Sequence, residues 1–194
     1  MGVCCVAVAV SDRNIDEILS DPPLVWRVLQ ADGEEAYLRA IGADRKPTLI
    51  QKLLGRVPPT PEIRHLTLTA SELREVDLDK SWDGLNACLT ALVPGTPSFF
   101  EGIDTVGELD VGYSPALYHR SATLRQIADG YLSVTESQLL ECFGRIDLSE
   151  RYLGETWAKA RPDTIDYLRQ NFAMLHEFLR HTSEHALGAI VQYT

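Results

Sequence analysis

The chain has 194 residues and a mass of 21.6 kDa, with 45% apolar and 24% charged residues. That is the make-up of one globular domain whose core suffices without disulfide or metal staples. Subtracting 18 basic from 28 acidic side chains leaves a net charge of −10 and a pI near 4.9, a field that repels phosphate backbones and anionic headgroups and disfavours nucleic-acid or membrane-surface roles.

The run Val3–Val10 (VCCVAVAV) is too short to span a bilayer and lacks the basic start and cleavage region of a signal peptide, so a cytoplasmic location is expected. It reads instead as a buried strand, feeding a helix capped at Ser11 and stopped by Pro22-Pro23. The four cysteines, Cys4, Cys5, Cys88 and Cys142, form no CxxC pair, and Cys4 and Cys5 point to opposite faces of a strand. They are expected to be free thiols in a reducing compartment.

Between Leu24 and Leu54 the apolar pattern is helical in pieces, punctuated by Gly33, Gly42 and Pro47. This makes residues 11–54 a helical front third. The stretch Gly55–Pro61 (GRVPPTP) reads as an extended connector to the remainder, residues 62–194. There, His65–Thr69 alternates with period two and predicts a short strand, and Leu73–Leu78 a strand or a turn of helix. An amphipathic helix follows with Trp82, Leu85, Leu89 and Leu92 on one stripe, Cys88 beside it, Asp79 or Ser81 as N-cap and Pro94-Gly95 as stop. Gly84 inside it costs roughly 1 kcal/mol against alanine, which implies a close approach of another backbone or a bulky ring.

Residues 93–115 are rich in Gly and Pro and read as a long irregular connection able to bear a site. Helical spacing resumes at Ser121 with Leu124, Ile127, Ala128 and Tyr131, and Thr135 with Gln138 forms a capping-box pattern for the next helix. Pro162 opens the longest helix, to about Glu184, before a last strand Leu187–Tyr193. Along that helix Ile165, Leu168, Phe172, Leu175 and Leu179 share one face, and Tyr167, Asn171, Met174, Phe178, His181 and His185 a neighbouring one. So broad an apolar arc predicts burial against two surfaces, within the domain or with a partner. The fold class is α+β: a single domain whose small sheet includes the N- and C-terminal strands, packed with several helices and a long C-terminal helix.

Three segments, Asp77–Thr90 (DLDKSWDGLNACLT), Leu109–Tyr118 (LDVGYSPALY) and the ending from Tyr167, together resemble the YfbM-like family, a bacterial domain of unknown function. The family pattern has a strand beginning MGM, a D-K-x-W motif opening a helix, a G-Y-G-P-A-R-Y stretch and an aromatic-rich final helix before a hydrophobic strand. The resemblance runs end to end and implies a full-length member, with little implied about biochemistry. Ser114 and Leu117 stand where the pattern has Gly and Arg, so an anion contact made by that Arg is lost here, with Arg120 three residues away. The ending with His181, Glu184 and His185 differs too, and those histidines inherit no family role.

No G-x-S-x-G elbow, phosphate loop or G-x-G-x-x-G turn is present. His181 and His185 have an i, i+4 metal-ligand spacing, but Thr182 stands where HExxH needs Glu and His176 lies well round the helix, so no metal or other cofactor is expected. The candidate pocket combines Asp79, Lys80, Trp82 and Asp83 at a helix start with Tyr113, Tyr118 and His119 from the loop side. Capping and core packing explain the first four residues without a ligand, and His119 is the group there that titrates near neutrality. Two functions follow as expectations. One is a module that binds an unidentified, basic protein partner, in the manner of antitoxins or immunity proteins. The other is a small-molecule sensor or enzyme using Asp79, Asp83 and His119.

Overall fold

The computed structural model describes residues 2–29, 33–45, 59, 61–101, 104–157 and 162–194. Its frame is a five-stranded sheet in the order β2-β1-β5-β4-β3, every neighbouring pair antiparallel. The strands are β1 Cys5–Val10, β2 Glu75–Asp77, β3 Asp104–Asp110, β4 Pro115–His119 and β5 Gly188–Tyr193. The two ends of the chain meet in the middle, with Cys5 opposite Tyr193, Ala7 opposite Val191 and Val10 opposite Gly188.

Alternation along the strands feeds two cores. Cys5, Ala7 and Ala9 with Ala189 and Val191 share one face, where small side chains let helices lie close; Val8, Val10 and Ile190 serve the other. The small face is covered by α4 Trp82–Leu92, α5 Ser121–Tyr131, α6 Glu136–Phe143, α7 Gly154–Trp157 and α8 Pro162–Glu184. The opposite face takes α1 Asp12–Ser20, a 3₁₀ turn Pro22–Val25, α2 Trp26–Leu29 and Tyr37 of α3 Gly33–Ala40. This is the α+β domain expected. No helix among the described residues is long and apolar enough to cross a membrane.

Local signals explain most boundaries. Ser11 Oγ accepts from Asn14 N as the N-cap of α1, and Thr135 and Gln138 complete the capping box of α6. The start of α5 is satisfied from outside: Asp12 accepts from Ser121 N at 2.8 Å and from its hydroxyl at 2.7 Å, so the first turn of α1 docks onto α5. Gly84 approaches a ring as anticipated, since a Cβ there would lie 3.2 Å from Trp157.

Several expectations are corrected. His65–Thr69 forms no strand: its alternation is real, with Leu66 and Leu68 half-buried between exposed neighbours, but among the described residues no strand pairs with it. Residues 93–115 are not irregular throughout, because β3 and the first residue of β4 lie within them. β3 was hidden by its edge character: charged residues face water, and Gly107 at φ +59° sits in a break of the ladder register. Ser81, one of the two expected residues, stands at the N-cap of α4 but makes no side-chain capping bond, and Asp79 instead opens the 3₁₀ turn Asp79–Ser81 that leads into the helix. On α8 the second stripe is split, with Asn171 and Phe178 buried, Tyr167 and His181 half-buried, and Met174 and His185 exposed. The helical reading of Leu49–Leu54 and most of the connector 55–61 fall outside the described residues.

Candidate functional site: the aromatic end of the sheet

β1 starts and β5 stops at the same end of the sheet, and most of the candidate chemistry gathers there. Cys4 and Thr194 exchange backbone hydrogen bonds, Leu78 N donates to Cys5 O, and Tyr113 N donates to Tyr193 O at 2.9 Å. Gly112 is required for that last approach, because a Cβ would lie 2.2 Å from the Tyr193 carbonyl oxygen.

Asp79 is the polar centre of this end. Its φ of +44° is a left-handed conformation that Asp tolerates better than most residues, and its N–H donates to Asp77 Oδ1 at 2.7 Å. The carboxylate then accepts from the Cys4 thiol at 3.0 Å on one oxygen and from the Tyr167 hydroxyl at 2.8 Å on the other. Tyr167 accepts in turn from Lys80 N at 3.0 Å. The Cys4 bond, helped by Tyr167 and Lys80 against burial, holds Asp79 below its ordinary pKa. The same bond, with burial, raises the Cys4 thiol to about 11. Cys4 is therefore a hydrogen-bond donor at neutral pH and not an activated nucleophile.

Aromatic rings close around this centre. Trp82 donates from its indole to Val3 O at 2.9 Å, stacks with Tyr152 at 6.1 Å and meets Tyr193 edge-on at 5.0 Å. Tyr152 accepts from Val3 N, and Tyr193 donates to Phe100 O. Tyr113 and Tyr152 remain 62% and 50% exposed.

The other residues of the expected pocket lie elsewhere. Asp83 is buried on the inner side of α4, where one oxygen accepts from Trp157 Nε1 and Leu153 N, both at 3.3 Å. His119 is buried at the far end of β4, stacked on Phe99. Its Nε2 lies 3.0 Å from the Phe99 carbonyl oxygen and so carries the proton, while burial keeps its pKa below the ordinary value. Tyr118 sits beside it on the opposite face, with Arg120 over its ring at 6.0 Å and paired to Asp16 at 2.7 Å. Asp79, Lys80, Trp82 and Tyr113 are thus brought together, and Asp83, Tyr118 and His119 are not.

Cys4, Tyr152, Tyr167 and Tyr193 complete this end without any motif that marks them in the sequence. One signal was available: opposite faces for Cys4 and Cys5 mean that one strand face cannot hold both thiols. Among the histidines, His181 and His185 have rings 4.6 Å apart, but His181 bonds the Ser71 carbonyl and His176 packs on Phe172. Among the described residues no three His, Cys, Asp or Glu side chains are grouped to hold a metal ion. Two clefts also open in the helical layer on either side of α6. One of about 290 Å³ faces the end of α4, and one of about 490 Å³ lies between Leu132–Glu136 and α8.

The family model described as a domain of unknown function, DUF1877, matches residues 1–192. The chain belongs to that family. A solved structure, "a Protein of Unknown Function YfbM from Escherichia coli", shares the fold with a TM-score of 0.50 at 14% identity, over 98% of this chain and 99% of that one. No curated protein matches the chain. The three segments that resemble the YfbM-like pattern all contribute to the aromatic end of this DUF1877 domain: Asp79, Lys80 and Trp82 from the first, Tyr113 from the second, Tyr167 and Tyr193 from the third. Leu117, at the Arg position of the family pattern, packs half-buried on the helical core and supplies no anion contact.

Proposed function

We propose that this domain is a protein-binding module whose contact surface is the aromatic end of the sheet. The observation that carries it is the exposure of Tyr113 and Tyr152 beside half-buried Trp82 and Tyr193. Tyrosine and tryptophan give large, rigid, amphipathic contact area at low entropic cost, and they anchor protein interfaces. The net charge of −10 favours a basic partner and salt-sensitive association, as in an acidic inhibitor of the antitoxin or immunity type. The small-molecule reading has less support, because Asp83 and His119 commit polar atoms to buried internal bonds.

The test is capture from the host lysate on the tagged protein at low and high salt, with mass spectrometry of bound proteins and of small molecules released on denaturation. A stoichiometric partner, released by salt and lost in Tyr113→Ser at an unchanged melting temperature, supports the module. A partner retained by that variant removes this surface from the interface. A metabolite released with no protein partner transfers the reading to small-molecule binding.

A further inference from the structure

Cys88 and Cys142 have no part in the sheet end, yet they face each other across two helices. Cys88 lies on the buried face of α4 and is fully enclosed by the core. Cys142 is half-buried on α6, in the wall of the cleft of about 290 Å³ together with Leu92, Arg145 and Ile146. The Cys142 sulfur lies 3.8 Å from the Cys88 carbonyl oxygen. We propose that Cys142 is a peroxide-modified thiol and that Cys88 resolves it, forming a reversible disulfide between α6 and α4.

The asymmetry of access assigns the roles. A molecule as small as hydrogen peroxide reaches Cys142 through the open cleft, whereas packed side chains seal Cys88 from solvent. The other two thiols are held back. Cys4 donates at 3.0 Å to the anionic Asp79, which opposes a thiolate there, whereas Cys142 makes only a long 3.8 Å bond to the neutral Cys88 carbonyl; Cys5 is sealed in the core, where burial pushes its thiol far up.

The chemistry balances with peroxide as the oxidant. The Cys142 thiolate attacks one peroxide oxygen and the O–O bond breaks; hydroxide leaves, takes up the thiol proton as water, and Cys142 becomes a sulfenic acid. The Cys88 sulfur then attacks the Cys142 sulfur as its own proton departs, and the expelled hydroxyl leaves as a second water. Two electrons pass from the thiols to the peroxide. Burial first, and the neighbouring thiol second, favour the protonated form of Cys88, so its proton departs as the new S–S bond forms. A disulfide needs its sulfurs about 2.0 Å apart. α6 has eight residues and ends directly after Cys142 at Phe143-Gly144, so forming the bridge requires the last turn of α6 to close on α4.

The experiment treats the reduced full-length protein with hydrogen peroxide at near-neutral pH, at several protein concentrations. Intact mass and non-reducing peptide maps are then recorded. The expected result is loss of two hydrogen atoms per chain, reversed by dithiothreitol, with one linked pair, Cys88 to Cys142, whatever the concentration. Dimedone is expected to trap Cys142 at early times. Cys142→Ser, at a half-buried position, is expected to abolish the bridge and leave Cys88 reduced, whereas Cys88→Ala leaves Cys142 trapped by dimedone and unbridged. Oxidation falling first on Cys4 or Cys5, or Cys142 passing to sulfinic acid without a linked peptide in the unmutated protein, overturns the proposal.

Discussion

Trp82 and Asp83 are adjacent in the chain, and the structure sends them to opposite kinds of place. Trp82 joins the open end of the sheet, where Asp79, Lys80 and Tyr113 also gather and two tyrosines stay largely exposed. Asp83 turns inward with Trp157, in the same helical layer that buries His119 on Phe99. One step along a helix rotates a side chain by about 100°, enough to separate a surface from a core. The comparison separates polar groups that complete the interior from those left facing water. On the proposed function it also separates groups whose removal destabilises the fold from groups whose removal is expected to change only binding.

The largest expected effect lies in the interior. Asp83→Ala orphans the Trp157 indole N–H and the Leu153 amide in a buried setting, and is expected to cost about 2–4 kcal/mol in urea unfolding. Asp79→Gly removes two hydrogen bonds at the partly exposed end but relieves a positive φ, so about 1 kcal/mol or less is expected. Equal losses from the two changes would break the comparison.

Glu72 extends it to a third carboxylate. Burial alone would raise its pKa, but bonds from Ser11 N, Asn14 Nδ2 and Thr69 outweigh burial and lower it from 4.5 to about 2. A depressed folded-state pKa gives stability that is complete above the unfolded value and lost as pH falls through the folded one. Acid unfolding is therefore expected to weaken the protein by up to about 3 kcal/mol between pH 4.5 and 2, and Glu72→Gln to flatten that slope.

Gly84→Ala is expected to cost about 1–2 kcal/mol in thermal or urea unfolding despite the better helix former. Its methyl meets the Trp157 ring at 3.2 Å, and that ring is tied to Asp83. The smallest stability effect is expected at the open end. Tyr113→Ser should change unfolding by no more than about 0.5 kcal/mol while weakening capture of a protein partner. A large loss of stability there would make Tyr113 structural and remove it from the contact surface.

The legible parts of this fold were those written in local pattern. The strand of VCCVAVAV, the cap at Ser11, the capping box at Thr135 and the five-point stripe of α8 each need only a few neighbouring residues to be recognised. β3 escaped because an edge strand with Asp104, Glu108 and Asp110 facing water loses the apolar alternation by which strands are read. His65–Thr69 shows the opposite case, since its alternation packs Leu66 and Leu68 on the second core with no strand among the described residues to pair with.

For the site, four of the seven expected residues were found together, and their partners were not anticipated. Cys4, Asp79, Tyr113, Tyr152, Tyr167 and Tyr193 come from six separate places in the chain. The sequence by itself determined the elements, the alternation that sorts β1 and β5 between two cores, the glycine at Trp157 and the net charge, because these depend on residue type and short-range spacing. Only the tertiary structure decided which end of the sheet keeps its aromatics in water and which carboxylates the core consumes. That choice depends on pairing the first strand with the last, and closure over the whole chain leaves no local signal.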